Sequence, residues 1–236
     1  MEPIESIPIF IGYDYRERAA TNVLIDSLYQ HSSKSLAITP LVTKQLEAQD
    51  LYWREKDPRQ STEFTFTRFL VPYLMKFKGW AIFMDCDMLC LDDINKLWEM
   101  RNDKYSLMCV HHDQKINASS KFLGEIQTRY PKKNWSSLML MNCERCKELS
   151  LDYVNTASAM ELHQFLWLSD EKEIGELDHK KWNLLIEDEE SNDNNDKAKL
   201  VHWTLGGPWF KEKRVKEGPF YYDWFLAREN AMKLWD

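Results

Sequence analysis

The fold of this chain can be inferred outward from residues 80–90, WAIFMDCDMLC. Residues 80–84 are a short, bounded apolar run, which is typical of a strand buried on both faces. Asp85 and Asp87 follow where that strand ends. Because side chains alternate along extended backbone, two acids two positions apart lie on the same side. The stretch therefore predicts a central strand that delivers two carboxylates to one edge of a sheet.

Strand and helix patterns alternate along the rest of the chain. Strands are predicted at residues 7–14, 36–42, 80–84, 106–111, 137–141 and 200–204. Helices are predicted at residues 17–29, 63–78 with a kink at Pro72, 94–100, 161–168 and 220–235. Pro40 favours an edge position for the second strand, because proline donates no ladder hydrogen bond. The alternation predicts an α/β fold with a mostly parallel sheet flanked by helices, which binds ligands at the carboxyl ends of its strands.

Composition and charge exclude several classes of protein. The chain has 236 residues, of which 44% are hydrophobic and 29% charged, as expected of one globular domain spanning 1–236. Its net charge of −7 comes mostly from residues 187–196, EDEESNDNND, so the remainder is nearly neutral and no basic nucleic-acid-binding module is indicated. We expect residues 187–199 to form a solvated, mobile acidic loop, and residues 218–236 to hold a C-terminal helix.

Neither a membrane anchor nor a disulfide framework is indicated. No apolar run approaches the ~20 residues that span a bilayer, and the N-terminal residues lack a signal-peptide pattern. The five cysteines favour a reducing, cytoplasmic location, with peripheral membrane association left open. Cys143 and Cys146 form a CxxC without a second pair at zinc-site spacing, so we interpret them as ordinary thiols, with a metal or redox role as the alternative.

Asp85 and Asp87 are candidate metal ligands. Hard carboxylate oxygens suit Mg²⁺ or Mn²⁺, and an ion held by two of them keeps positions open for phosphate oxygens. Two acids at the end of a buried strand are costly unless something pairs them, although solvated loop acids are the alternative. Asp92 and Asp93 provide a contrast, because they precede a helical pattern and helix capping explains them.

A second candidate group lies in residues 200–209, LVHWTLGGPW. His202 ends a predicted strand, although a buried structural histidine is the alternative. The adjacent glycines Gly206 and Gly207 allow close backbone approach, and their amides could form an anion-binding nest. Together with Arg68, these glycines could hold a diphosphate. A nearby basic run could add positive charge, although at least two of its four members could simply be solvated surface residues: Lys211, Lys213, Arg214 and Lys216.

Four blocks of sequence, in order, resemble the GT-A-fold (Rossmann-like) nucleotide-sugar glycosyltransferases, in particular a retaining, family-8-like group. The blocks are IFIGYD at 9–14, TRFLVPYLMKFKGWAIFMDCDMLC at 67–90, KNWSSLMLMN at 133–142 and LVHWTLGGPW at 200–209. The KNWSS and VHxTLGGPW motifs are most similar to those of small, uncharacterised bacterial-type members.

The resemblance implies a role for each block. Asp85, Asp87 and His202 would hold Mn²⁺ or Mg²⁺ on the diphosphate of a nucleotide sugar, for which a UDP-sugar is the family's usual donor. Asp87, Arg68 and Gln164 would act in the chemical step. The remaining donor contacts would be Gly12, Tyr13 and Asp14 at the nucleoside, Arg68 at the diphosphate or sugar, Asn134, Ser136 and Ser137 in the sugar pocket, Gln164 near the anomeric carbon, and Gly206, Gly207 and Lys211 at the phosphates.

Two positions depart from the pattern of the family. Gly207 stands where a lysine is usual, and Lys211 or Lys213 could supply that charge instead. His163 stands where the aspartate of an aspartate–glutamine pair is usual. The second departure leaves open the identity of the donor sugar and any base or nucleophile at that position.

The expected function is metal-dependent transfer of a hexose-type sugar to a hydroxyl group of a glycan, polysaccharide or glycolipid, with retention of configuration. His111, His112 and Asp113 end a strand at the same edge and could face the acceptor, while Trp135 and Trp209 could stack on a sugar or base or pack in the core. A non-catalytic nucleotide-sugar or carbohydrate-binding protein is the alternative. A nucleotidyltransferase or phosphatase lacks support, because no GxxxxGK loop is present.

Overall fold

The chain forms the alternating strands and helices of an α/β protein. A computed structural model describes residues 5–56, 60–112, 132–187, 197–213 and 218–233. The strands are β1 Ile7–Gly12, β2 Leu36–Leu41, β3 Trp80–Met84, β4 Met88–Cys90, β5 Leu107–Val110, β6 Leu138–Asn142, β7 Ile174–Leu177, β8 Leu184–Leu185 and β9 Leu200–His202. The α-helices are α1 Arg18–His31, α2 Thr43–Glu47, α3 Val71–Leu74, α4 Asn95–Trp98, α5 Leu151–Thr156, α6 Ala159–His163 and α7 Tyr221–Ala231.

The main sheet contains six strands of the described residues in the order β2-β1-β3-β6-β5-β7. β1 runs parallel to β2 and β3, and β5 runs parallel to β7, whereas β6 is antiparallel to both of its neighbours. The predicted mostly parallel sheet is confirmed, with β3 central and Pro40 on the edge strand β2. Because β6 is reversed, Leu138 at its start pairs with Met84 at the end of β3. Residues that precede β6 therefore lie beside Asp85.

A second, three-stranded sheet has the order β4-β9-β8 within the described residues. β4 is antiparallel to β9, with Met88 opposite His202. β8 is parallel to β9, with Leu185 opposite His202. The end of β9 is thus held between the start of β4 and the end of β8, which places His202 next to Asp87.

The strands that carry the site are the most buried part of the chain. Ile82, Phe83 and Met84 of β3 have no exposed surface. An apolar side chain removed from water contributes roughly 1.5–3 kcal/mol, so a strand buried on both faces is firmly anchored. The residues that follow β3 are therefore presented from a rigid edge. Among the described helices, none combines the length and apolar character that a bilayer-spanning segment requires.

The helix predicted at residues 63–78 is wrong in extent. The structure has a 3-10 turn, Thr67–Leu70, followed by the single turn of α3. Pro72 lies in the first turn of α3, where its missing N–H is tolerated, and Lys76 and Phe77 have left-handed φ values of 54° and 53°. The segment is a buried connection rather than an amphipathic surface helix.

The helix predicted at residues 161–168 is also shorter than expected. Ser158 and Glu161 form a capping box that starts α6, and the helix ends at His163. Phe165 adopts a left-handed φ of 57°, which prevents continuation of the helix. His163 and Gln164 therefore lie at the end of a short helix. The C-terminal helix α7 likewise ends at Ala231, before the predicted residue 235.

Candidate active site

Two carboxylates and an imidazole meet where β3 ends and β9 pairs with β4. The candidate ligand atoms of Asp85, Asp87 and His202 all lie within 4.8 Å of one another, and this is the one such group in the part of the chain that the structure describes. The three residues are 9%, 7% and 2% exposed. Two carboxylates and one nitrogen ligand suit a divalent cation and leave coordination positions for a substrate. The donor set therefore fits the metal that the sequence predicts.

The electrostatics at His202 reflect the two acids. Burial alone would lower its pKa, but the negative charges of Asp87 and Asp85 outweigh burial and raise the pKa of the imidazole. Nε2 of His202 lies 3.1 Å from Oδ1 of Asp87. The carboxylates thus form a buried, negatively charged group that suits a cation.

Arg68 connects this group to the turn before β6. Its Nη1 lies 2.9 Å from Oδ1 of Asp85 and donates a 2.9 Å hydrogen bond to the carbonyl of Ser136. The guanidinium is only 5% exposed and lies between the rings of Phe64 and Phe83. The structure therefore brings Arg68 beside the acid pair, where a diphosphate contact remains a prediction.

The Asn134–Ser137 turn contains the three predicted sugar-pocket residues. Asn134 has a left-handed φ of 64° and opens the 3-10 turn Trp135–Ser137. The hydroxyl of Ser137 donates to the carbonyl of Asn134 at 2.5 Å. The backbone N–H of Asp85 donates to the carbonyl of Ser137 at 2.8 Å. The turn is thus joined directly to the acid pair, as the reversed strand β6 requires.

Asn183 is a site residue that the sequence did not reveal. It precedes β8, is fully buried, and accepts from Nδ1 of His202 through Oδ1 at 2.8 Å. Its Nδ2 donates to Oγ of Ser137 at 2.8 Å. The surrounding residues, WNLL, match no motif that would have identified it. Only the pairing of β8 with β9 brings this side chain to His202.

His163 and Gln164 approach the turn from α6. His163 is 7% exposed, its Nδ1 lies 2.9 Å from Oγ of Ser136, and its ring packs edge-on against Phe69. Gln164 ends the helix, and its backbone carbonyl accepts from Nζ of Lys132 at 3.0 Å. Its predicted place near the anomeric carbon stays a prediction, because no contact in the described residues joins it to the acid pair.

The turn after β1, where nucleoside contacts are predicted, is held by contacts within the protein. A Cβ at Gly12 would lie 2.2 Å from Cδ2 of Phe64, so this glycine makes room for an aromatic ring of the protein itself. Asp14 has no exposed surface and accepts hydrogen bonds from Nη2 of Arg16 at 2.6 Å and from the N–H of Glu63 at 3.2 Å. These contacts shape the turn, and the nucleoside contacts predicted for Gly12, Tyr13 and Asp14 stay predictions.

The pKa of Asp14 agrees with this enclosed position. Burial alone would raise the pKa, but hydrogen bonds and the charge of Arg16, with the Glu63 amide, lower it below its usual value. Asp14 is therefore a structural anion that is already matched by its neighbours.

The glycine pair lies in a loop packed by tryptophans. Gly206 has a left-handed φ of 87°. A Cβ at Gly207 would lie 2.3 Å from the ring of Trp209 and 3.0 Å from that of Trp203. The space for a side chain at position 207 is thus filled by an aromatic ring, which accounts physically for glycine where the family usually has lysine.

Glu187 is hydrogen-bonded to the glycine loop, whereas Lys211 is exposed. Glu187 accepts from the N–H of Leu205 at 2.8 Å and from Oγ1 of Thr204 at 3.1 Å. It therefore braces the glycine loop. The solvated, mobile loop expected at residues 187–199 stays a prediction, and residues 188–196 lie outside the described part of the chain. Lys211 is exposed in a 3-10 turn, and no ion pair to the acid pair is found in the described residues.

An aromatic pair flanks the turn on the side of β5. The rings of His111 and Trp135 are stacked, with centroids 4.0 Å apart and planes 5° from parallel, and Nε1 of Trp135 donates to the carbonyl of His112. Burial lowers the pKa of His112 to about 3, helped by the nearby His202. Both histidines follow directly after the end of β5, whereas Asp113 lies outside the described residues.

The two contrasting motifs have structural contacts, although helix capping does not explain Asp92. All five cysteines are buried and free, and burial raises the pKa of Cys143 to about 12, which disfavours the reactive thiolate. Asp93 accepts from the N–H of Asn95 at 2.9 Å at the start of α4, and Asp92 pairs with Lys199 at 2.6 Å. Structural contacts therefore account for these groups.

Known proteins resemble this chain in sequence and fold. The family model described as "Glycosyl transferase family 8" matches residues 25–213. Protein CDI from Arabidopsis thaliana is 46% identical over 206 residues, which cover 86% of this chain and 79% of that protein.

Solved glycosyltransferase structures share the fold. The WbbM bifunctional glycosyltransferase has a TM-score of 0.64 at 15% identity, covering 98% of this chain and 51% of that chain. GlyE from Streptococcus pneumoniae has a TM-score of 0.61 at 14% identity, covering 98% and 61%. The galactosyltransferase LgtC, solved with donor and acceptor sugar analogues, has a TM-score of 0.59 at 9% identity, covering 98% of both chains. This chain thus spans about half to three fifths of WbbM and GlyE, and the predicted GT-A fold is confirmed.

Proposed function

Because this chain belongs to glycosyl transferase family 8, we propose that it is a metal-dependent glycosyltransferase with a UDP-sugar donor. It would transfer a hexose-type sugar to a hydroxyl group of a glycan, polysaccharide or glycolipid, with retention of configuration. The observation that carries the proposal is the convergence of Asp85, Asp87 and His202 within 4.8 Å at the carboxyl edge of the sheet. That LgtC was solved with donor and acceptor sugar analogues supports a site of this class in the shared fold.

Asp85, Asp87 and His202 would hold Mn²⁺ or Mg²⁺. When bound, the divalent cation supplies positive charge against the negative charge that develops on the departing diphosphate. Asp85, Asp87 and Arg68 together carry one net negative charge, which a divalent cation reverses in sign. We therefore expect the diphosphate to bind well only with the cation present, either after it or together with it.

Arg68 would act as a fixed cation beside the negative charge that develops on the departing diphosphate. Its guanidinium is held by the Asp85 carboxylate and the Ser136 carbonyl, each at 2.9 Å. A group held in this way needs little reorganisation when charge develops nearby, which is the condition under which electrostatic stabilisation is most effective. Arg68 also balances part of the negative charge of the acid pair, because its Nη1 lies 2.9 Å from Oδ1 of Asp85.

The Asn134–Ser137 turn would recognise the sugar. It contains an amide side chain and two hydroxyl groups, which suit the hydrogen-bonding pattern of a hexose. His163 reaches Ser136 where relatives usually have a carboxylate. Position 163 therefore supplies no carboxylate that could attack the anomeric carbon.

We propose retention by attack of the acceptor on the face from which the diphosphate leaves. The bond between the anomeric carbon and the diphosphate oxygen breaks, the bond to the acceptor oxygen forms, and the acceptor proton passes to the diphosphate oxygen. The anomeric configuration of the product, measured by NMR, tests this step. A product of inverted configuration would contradict it.

A thermal-shift screen tests the proposed function as a whole. The purified chain is mixed with UDP-, GDP-, CMP- and dTDP-sugars, each with and without Mn²⁺, and slow hydrolysis of the donor is followed in parallel. We expect the largest stabilisation from a UDP-sugar with Mn²⁺, together with donor hydrolysis. Failure of every donor to stabilise the chain would contradict the proposal, and binding without hydrolysis or transfer would favour the non-catalytic binding protein.

We also propose that the protein acts in the cytoplasm. The five buried, free cysteines are compatible with a reducing compartment. Fractionation of cells that produce the native chain tests this location, and recovery in an oxidising compartment would contradict it.

A further inference from the structure

We propose that Asn183 is a positioning residue that orients His202 toward the cation and ties the metal ligands to the sugar-pocket turn. The inference rests on the proposed function, because it concerns the same site. It is carried by a chain of hydrogen bonds in which Asn183 lies between His202 and Ser137, at 2.8 Å from each.

The contact with His202 determines the tautomer of its imidazole, and so whether the nitrogen that faces the carboxylates has a free lone pair. Oδ1 of Asn183 can only accept, so Nδ1 of His202 must carry the proton. In a neutral imidazole the lone pair is then on Nε2, the nitrogen that lies 3.1 Å from the carboxylate of Asp87. Asn183 thus presents the ligand nitrogen to the cation, as partners of metal-binding histidines commonly do.

The contact with Ser137 fixes the direction of the amide group. Nδ2 of Asn183 donates to Oγ of Ser137, whose own proton goes to the carbonyl of Asn134 at 2.5 Å. Reversing the amide would bring Oδ1 to Oγ of Ser137, which has no second proton to donate. The turn therefore sets the orientation of Asn183, and Asn183 sets that of His202.

The backbone explains why asparagine occupies this position. Asn183 is fully buried and has a left-handed φ of 55°. Asparagine is among the few non-glycine residues that adopt this conformation readily, and its short side chain offers a donor and an acceptor together. Glycine at this position would keep the backbone and remove both hydrogen bonds, whereas aspartate would keep an acceptor for His202 and lose the donor for Ser137.

Binding of Mn²⁺ alone to the full chain tests the proposal. Free Mn²⁺ is measured by electron paramagnetic resonance, and the ¹⁴N modulation of bound Mn²⁺ reports the imidazole ligand. We expect Asn183→Gly to weaken Mn²⁺ binding roughly 10–100-fold and to reduce the ¹⁴N signal, as loss of an outer-shell partner commonly does. Asn183→Asp should stay within about threefold of the wild type and keep the signal, because an acceptor for Nδ1 remains.

Asn155 provides the matched control, because it is a second buried asparagine whose contacts lie elsewhere. It accepts from the N–H of Trp53 at 2.8 Å and donates to the carbonyl of Leu151 at 2.9 Å. Asn155→Ala should lower the melting temperature and leave Mn²⁺ affinity unchanged at temperatures where the variant is folded. A merely structural role for Asn183 would make its variants behave in the same way.

Asp87→Asn separates this inference from the proposed function. If Asp87→Asn loses Mn²⁺ binding, the metal site stands. The role proposed for Asn183 is then wrong if Asn183→Gly binds Mn²⁺ within threefold of the wild type, or if Asn183→Asp binds it as weakly as Asn183→Gly. If Asp87→Asn binds Mn²⁺ like the wild type, the metal site itself is wrong.

Discussion

The ends of β1 and β3, two neighbouring parallel strands, present their acids in opposite ways. Asp14, after β1, is enclosed by Arg16 and the N–H of Glu63. Asp85 and Asp87, after β3, converge on an imidazole in a group with the spacing of metal ligands. The difference lies in where the partner comes from: Arg16 of the same turn pairs with Asp14, whereas Arg68 reaches Asp85 from a distant segment. We expect an acid that is matched within its own turn to be the poorer ligand.

The largest effect is expected on metal-dependent transfer, when an acid at the end of β3 is replaced. Asp87→Asn keeps the size of the side chain but removes a negative ligand, so metal-dependent transfer should fall by roughly 10²–10³-fold or more. Steady-state rates at saturating Mn²⁺ measure the loss. Asp93→Asn is the control, because Asp93 serves the start of α4 and its replacement should leave the rate unchanged. Equal losses in the two variants would show that the effect is not specific to the site.

The next effect concerns stability on the β1 side. Asp14→Ala leaves Arg16 without its partner and the N–H of Glu63 without an acceptor, so the free energy of unfolding should fall by about 2–3 kcal/mol. Denaturant unfolding measures the loss. Affinity for Mn²⁺ should stay within about threefold of the wild type. If stability were unchanged and only donor affinity fell, Asp14 would be a ligand residue after all.

The pH dependence of Asp14 sharpens the same distinction. Its pKa is lower in the folded chain than in the unfolded chain, so its ionised form stabilises the fold. This contribution is complete above the unfolded pKa near 3.9 and is lost as pH falls through the lowered folded pKa. Asp14→Asn should therefore show a smaller loss of stability than the wild type between about pH 5 and pH 2, measured by unfolding at each pH.

A smaller effect is expected at Gly12. Gly12→Ala places a methyl group 2.2 Å from the ring of Phe64, so overpacking should cost about 1–3 kcal/mol of unfolding free energy. Phe64→Leu should relieve part of that cost, so the double variant should lose less stability than the sum of the two single variants. Loss of nucleotide affinity at unchanged stability would instead place a ligand against Gly12.

The smallest effect is expected at Glu187. Glu187→Gln keeps acceptors for Thr204 and Leu205 but replaces charge-assisted hydrogen bonds by neutral ones, at a cost of about 1 kcal/mol. Thermal unfolding without nucleotide measures the change. A variant with an unchanged melting temperature would indicate that Glu187 does not brace the glycine loop.

Much of the fold and the metal ligands could be predicted from the sequence because their signals are local. Apolar runs marked β1, β3, β5 and β6, and strand ends marked Asp85, Asp87 and His202. The direction of β6 was not encoded in its own residues, although the resemblance placed Asn134 and Ser137 in the same site. The connection at residues 63–78 was misjudged because its apolar residues are buried on several sides, a pattern that periodicity does not separate from a helix.

The features that the sequence did not reveal depend on packing between distant segments. Asn183 reaches His202 only through β8, a strand of two residues that gives no periodic signal. The ring of Phe64 fills the space that a side chain at position 12 would need, and the ring of Trp209 does the same at position 207. In each case an aromatic ring of the protein accounts for the glycine, and the motif alone does not reveal that contact. A glycine in a motif indicates close approach, but the sequence does not say whether a ligand or a side chain approaches.

The most direct test of the metal-dependent site is an anomalous-scattering measurement on crystals grown with Mn²⁺ and a UDP-sugar. We expect one strong manganese peak among Asp85, Asp87 and His202, at roughly 2.0–2.3 Å from their ligand atoms, with diphosphate oxygens completing its coordination. A peak at any other position, or a nucleotide sugar bound without manganese at these three residues, would contradict it.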